Sequence, residues 1–243
     1  KKLAIIGIGH RPDNDNADGS TMIGGNLFFE GGANSSALMG VYLSGHVYIG
    51  TGENAVNNFL LRYCNVNSIQ VQNSNCRGIV INQNYIRSGS NGGNSTINFT
   101  NNILHSVNNI NGGAINHNVI TNGGGASNAQ VKDNIFLNGH VSSFSTSHNM
   151  ATSSAGDHCV VVTDWADVLE GPNNGVSPTS NYQLKGNQGK NAATDGTDIG
   201  IYGGITGFKD SALPPVSRIV SKQIAEQTGD DGKLKIQVRI KTQ

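Results

Sequence analysis

Short runs of alternating apolar and polar residues recur through the middle of this chain, each followed by an asparagine and then by another apolar residue. The asparagines form a series, Asn65, Asn84, Asn102, Asn118, Asn134 and Asn149, at intervals of 19, 18, 16, 16 and 15 residues. Val66, Tyr85, Ile103, Val119, Ile135 and Met150 follow them directly. Three positions before the inner four stand Ile81, Phe99, Ile115 and Val131, and two positions after them stand Ile86, Leu104, Ile120 and Phe136. Arg62 and Thr146 take the first of these offsets at the outer two members, so the pattern weakens at both ends. Between 54 and 150 no apolar stripe has the 3.6-residue period of a helix, and segments such as 88–95 and 122–128 are almost entirely Gly, Asn and Ser.

A short strand buries alternate side chains and then must bend, and asparagine tolerates the left-handed backbone of a bend better than most residues. Coils stacked about 4.8 Å apart bring successive asparagines into register, where their amides can bond along a ladder. One coil cannot bury its own apolar face, so several must stack. The pattern therefore predicts an all-β parallel β-helix. Its irregular coil lengths argue against the strict hexapeptide period of a left-handed solenoid.

The regular coils are expected over 54–150, with less regular first coils before them. Leu3–Gly7, Ile23–Phe28, Leu38–Leu43 and His46–Ile49 all read as strands. Beyond 150, Thr163–Glu170 reads as a short helical turn with Thr163 or Asp164 as N-cap. Trp165 there is either a sugar platform or, as we expect, part of an irregular C-terminal cap plugging the end of the stack. The domain expected is 1–210, a β-helix with its cap, and 211–243 is a linker and a strand. Leu213-Pro214-Pro215-Val216 is the linker, and Leu234, Ile236, Val238 and Ile240 alternate with polar residues as in a half-buried strand with a basic outer face.

Composition narrows the classes. Only 13% of residues are charged, against roughly 25% in an ordinary domain. Asparagine and glycine stand at 33 each, which suits a chain built of turns. No apolar run approaches the roughly 20 residues of a membrane-spanning helix. A formal net charge of zero, with no basic stripe, argues against nucleic acid as a partner. Cys64, Cys76 and Cys159 cannot all pair and show no zinc spacing. The chain opens Lys1-Lys2 straight into a strand, so an upstream segment with a secretion signal is expected.

Ala4-Ile5-Ile6-Gly7-Ile8-Gly9, Ile23-Gly24-Gly25-Asn26 and the asparagine-closed coils resemble the right-handed parallel β-helix repeat proteins of the pectate-lyase-like superfamily. Asp195-Gly196-Thr197-Asp198-Ile199-Gly200-Ile201-Tyr202-Gly203-Gly204 is similar to the stretch that closes the helix in secreted bacterial members. The resemblance covers most of 4–210. It implies right-handed winding and an extracellular or cell-surface location, and it leaves activity open, because members include lyases, hydrolases, adhesins and surface proteins.

Lyases of that type need a set of calcium-binding carboxylates with a Lys or Arg base, and hydrolases need two carboxylates. Residues 54–150 hold five charged side chains, Arg62, Arg77, Arg87, Lys132 and Asp133. One carboxylate builds neither constellation, so no catalytic residue is assigned. His117, Asp133 and His148 each precede an asparagine of the series and so share one phase of three coils, a stripe that could bind a metal or a ligand, or else is an exposed polar row. Asp13, Asp15 and Asp18 outline a loop that could hold calcium, though Ala17 stands at a ligand position and the twelfth-position Glu is missing. The expectation is a non-catalytic secreted or surface solenoid that binds or scaffolds, with a polysaccharide or a surface protein as partner. The alternatives are a polysaccharide lyase or hydrolase with its site near an end, and a structural subunit of a surface assembly.

Overall fold

A computed structural model describes residues 1–9, 20–91, 95–140, 145–171, 177, 179–211, 213–215, 217–228 and 231–241. Its strands stack into an all-β parallel solenoid of about seven turns. One sheet has eight strands, from Ala4–Ile6 through Ile97–Thr100 to Ser145–Ser147, and the other has ten, from Met22–Ile23 through Ile103–Asn108 to Val160–Val161. The register joins Leu38, Leu61, Ile81, Phe99, Ile115 and Val131 in one column. Leu43, Val66, Ile86, Leu104, Ile120 and Phe136 form a second. Both columns point inward and are essentially inaccessible to solvent. In Asn65–Val71 the alternation slips at Ser68 and Ile69, which are both buried, so the strand turns a corner there without leaving the sheet.

Between the two sheets runs a column of fully buried asparagines. Asn84 donates its backbone N–H and its side-chain Nδ2 to Asn102 Oδ1, at 2.9 and 3.0 Å. The same pair of bonds joins Asn102 to Asn118, Asn118 to Asn134 and Asn134 to Asn149. Each Nδ2 also reaches a main-chain carbonyl, as Asn118 does to Phe99 and Asn116, both at 2.9 Å. Every side-chain amide in this column donates to at least two acceptors, which is what permits its burial.

Two details depart from the sequence expectation. Asn65 is not in this column: it lies in register with Tyr42 and Tyr85, and Cys64 holds the equivalent position, donating its N–H to Asn84 Oδ1 at 2.9 Å. The left-handed residue of each bend is also not the column asparagine but the one before it, with φ of 56° at Gln83, 53° at Asn101, 54° at His117, 60° at Asp133 and 53° at His148. The asparagine is there for its amide, and its predecessor makes the turn.

Val160–Val161 ends the ten-stranded sheet, and the described residues that follow lie along the outer face of that sheet, forming a second apolar core with Tyr85, Ile103, Val119, Ile135 and Met150. Trp165 sits in a single 3₁₀ turn, Trp165–Asp167, capped by the Asp164 carboxylate. The indole is buried in that second core and donates Nε1–H to Leu137 O at 3.0 Å, so it is neither an end plug nor an open sugar platform. The last strand is not half-buried: Ile236–Lys241 pairs antiparallel with Arg218–Ile224, and Leu234, Ile236, Val238 and Ile240 are all exposed.

Replacing Asn118 by Ala removes the acceptor for two Asn102 N–H groups and the donor for two carbonyls. A loss of roughly 2–4 kcal/mol is expected, read as a lower urea midpoint at unchanged slope; Asn122→Ala, on the exposed surface, serves as the near-neutral control. Burial pushes the Cys64 thiol up to about 12. In the native protein Cys159, which is partly exposed, should therefore react with a thiol reagent well before Cys64, whereas both should react together in denaturant.

Candidate functional site: a tethered corner and an open notch

The bend residues project outward as a row, one per coil, because each stands at the same left-handed corner. A strap comprising residues 194–211, with Leu213 and Pro214, is laid along this row. Asp133 accepts from Thr194 N at 2.7 Å and from Thr194 Oγ1 at 2.6 Å, and its own carbonyl takes Gly200 N–H at 2.8 Å. Asn101 Nδ2 donates to Ile201 O and Gly203 O, each at 2.8 Å. Gln83 Nε2 donates to Thr206 O at 3.0 Å, and Gln83 Oε1 accepts from Lys209 N at 3.1 Å. Pro214 then reaches Gly40, where a β-carbon would stand 2.5 Å from its ring. The strap thus runs opposite to the stacking direction, from the Asp133 coil back towards the first coils.

His117 lies in the middle of this seam. Its Nε2 stands 3.6 Å from Asp133 Oδ2 and 3.4 Å from Asp195 Oδ2, and the Gly203 backbone closes over the ring. At 7% exposure for His117 and 2% for Asp133, these two are not the exposed polar row that the sequence suggests. His148 stands apart and stacks on His158, with ring centroids 4.8 Å apart. Among the described residues, no three His, Cys, Asp or Glu side chains gather closely enough to hold a metal ion. Asp13, Asp15 and Asp18 lie outside the described residues.

Sequence reasoning missed Asp195 and Thr194 as partners of the stripe. A signal was present: Ile103-Leu104, Val119-Ile120 and Ile135-Phe136 are adjacent apolar pairs within strands. Adjacent side chains of a strand face opposite ways, so such pairs mean that both faces are covered.

Among the described residues, the apolar packing on the outer face begins at the Tyr85 coil. Above that coil the sheet presents a notch of about 180 Å³ lined by Tyr42, Ser44, Asn65, Asn67, Tyr85 and Arg87. Tyr42, Asn65 and Tyr85 are consecutive members of one outward column, so the shorter asparagine leaves a gap between two phenol rings. Asn67 and Arg87 flank that gap on their respective strands, and Arg87 is exposed. Among the described residues the notch offers amide donors and acceptors, hydroxyls, two aromatic rings and a cation. No protein-family model, curated protein or solved structure matches the chain, so the chemistry of both places rests on their geometry.

Burial works against ionisation of Asp195, but the Thr197 hydroxyl and N–H, with His117 beside them, outweigh it and hold its carboxyl below the usual range. The folded form thus binds this proton more weakly than the unfolded chain does. Its stabilisation is full above the ordinary carboxylate value of about 4 and fades as pH falls through the lowered one. Asp195→Asn should cost under about 1 kcal/mol at neutral pH, because the group is partly exposed, and nothing once both forms are protonated. Paired urea titrations at neutral and strongly acidic pH check this, and an undiminished difference in acid would contradict it.

Proposed function

We propose that this chain is a non-catalytic solenoid, secreted or displayed at a cell surface, that binds a glycan or protein partner on the uncovered part of its outer face. The notch between Tyr42 and Tyr85 supports this reading. Sugar rings are recognised by aromatic faces flanked by planar amides and an occasional cation, and the notch combines all three on a rigid sheet. The groups best suited to acid–base work, His117 and Asp133, are meanwhile buried, and Asp133 is bonded twice to Thr194 of the strap.

One observation favours the alternative, a polysaccharide lyase or hydrolase. Asp195, distant in sequence, joins Asp133 at the same imidazole nitrogen, so a pair of carboxylates does assemble. Yet Asp133 is almost fully buried and already bonded twice to Thr194, which leaves little room for a substrate.

A glycan array followed by calorimetry on the best-bound sugar should give binding that drops at least roughly tenfold, about 1.4 kcal/mol, in Arg87→Ala and in Tyr42→Ala. Neither change should alter the melting temperature. Assays for unsaturated products and new reducing ends on uronate and neutral glycans should stay blank. Turnover that disappears in Asp195→Asn would favour the enzyme instead.

A further inference from the structure

The segment that covers the outer sheet has a hollow of its own, of about 260 Å³, just below the usual size range of small-molecule pockets. Its floor belongs to the second apolar core: Leu184 and Ile199 are buried there, and the Tyr202 ring packs against the same cluster. Hydrogen bonds fix that floor. Leu184 bridges to Leu169, Ile199 N–H bonds to Gly189 O at 2.9 Å, and the Tyr202 hydroxyl donates to Asp210 Oδ1 at 2.8 Å.

The Ile199 bond lays residues 189–191 beside 198–199, and Asn191 N–H adds a second bond to Asp198 Oδ1 at 3.0 Å. Lys190 and Asp198 therefore rise from neighbouring stretches at the rim of the hollow, with Gln183 as a third polar group. A lysine and an aspartate so placed are near enough in the chain to pair. They do not: among the described residues, neither the Lys190 ammonium nor Asp198 Oδ2 has a hydrogen bond or an ion pair.

A cation and an anion held apart above an apolar floor are complementary to a molecule that carries both charges on an apolar body. We propose that this hollow binds a free α-amino acid with an apolar side chain. The side chain lies on Leu184, Ile199 and the Tyr202 ring, the ammonium meets Asp198 Oδ2, and the carboxylate meets Lys190 Nζ. Hydrogen bonds between ionised groups are the strong ones, and a ligand with a single charge forfeits one of them. This hollow shares no lining residue with the Tyr42–Tyr85 notch, so the two readings stand or fall separately.

Titration calorimetry of the full chain with L-leucine and with L-phenylalanine tests it. A Kd on the order of 1 mM or tighter is expected for at least one of them. Singly charged analogues of the same body, isopentylamine and isocaproate or phenethylamine and hydrocinnamate, should bind roughly tenfold or more weakly. Lys190→Ala and Asp198→Asn should each weaken the amino acid by a similar factor. Lys190 is exposed, and asparagine at 198 retains the oxygen that accepts from Asn191, so melting temperatures should match the parent. Arg87→Ala, in the notch, should leave amino-acid binding unchanged. Absence of binding to both amino acids at millimolar concentration overturns the proposal. So does a singly charged analogue that binds as well as the amino acid, or binding indifferent to either rim substitution.

Discussion

The fold depends on the hydrogen bond between the amides of neighbouring coils. An asparagine side chain in a dry interior is costly unless both its donor and its acceptor are used. Here each Oδ1 from Asn102 to Asn149 takes two protons from the coil before it, and each Nδ2 from Asn84 to Asn134 gives to the next Oδ1 and to the main chain. These bonds exist only when coils stack in one register, since a slip of one residue would leave buried amides facing carbon. Apolar columns alone would tolerate such errors better, because Ile, Val, Leu and Phe substitute for one another at modest cost. The amides specify the register, and the apolar columns supply most of the burial.

The ends of the column show the same constraint from the other side. Cys64 and, by register, Cys159 stand where an asparagine would have lost one neighbour. Cys64 still donates its N–H to Asn84, while its thiol needs far less satisfaction than an amide. Beyond it the equivalent place is Val41, which requires none.

The inward columns are legible in the sequence because each coil meets the same environment and so repeats the same residue type at the same offset. Ile81, Phe99, Ile115 and Val131 align by their distance from the asparagines alone, and the register joins them. Asn65 is misleading because the position that matters has changed residue type to Cys64, and a nearby asparagine outside the column resembles its continuation. The strap is not legible. Gln83 meets Thr206 across 123 positions and Asn101 meets Gly203 across 102, and these contacts occur once each, so no period announces them. Asp133 reads as a lone carboxylate for the same reason: the Asp195 that joins it belongs to a segment with no repeat.

This division also explains why the candidate site is harder to read than the fold. Inward positions are constrained by the coils above and below, so they must repeat. Outward positions are constrained only by what lies against them, and that changes along the axis. The column running outward through Tyr42, Asn65, Tyr85, Ile103, Val119, Ile135 and Met150 passes from polar and aromatic to wholly aliphatic as the strap and the 3₁₀ turn come to cover it. The switch at Tyr85 marks the margin of the covered surface, and the notch lies at that margin. A covered stretch has been selected to pack against its own chain. Tyr85 packs in the second core, but Tyr42, Asn65, Asn67 and Arg87 around the gap lie outside it, which is why recognition of a partner is the better account of their presence.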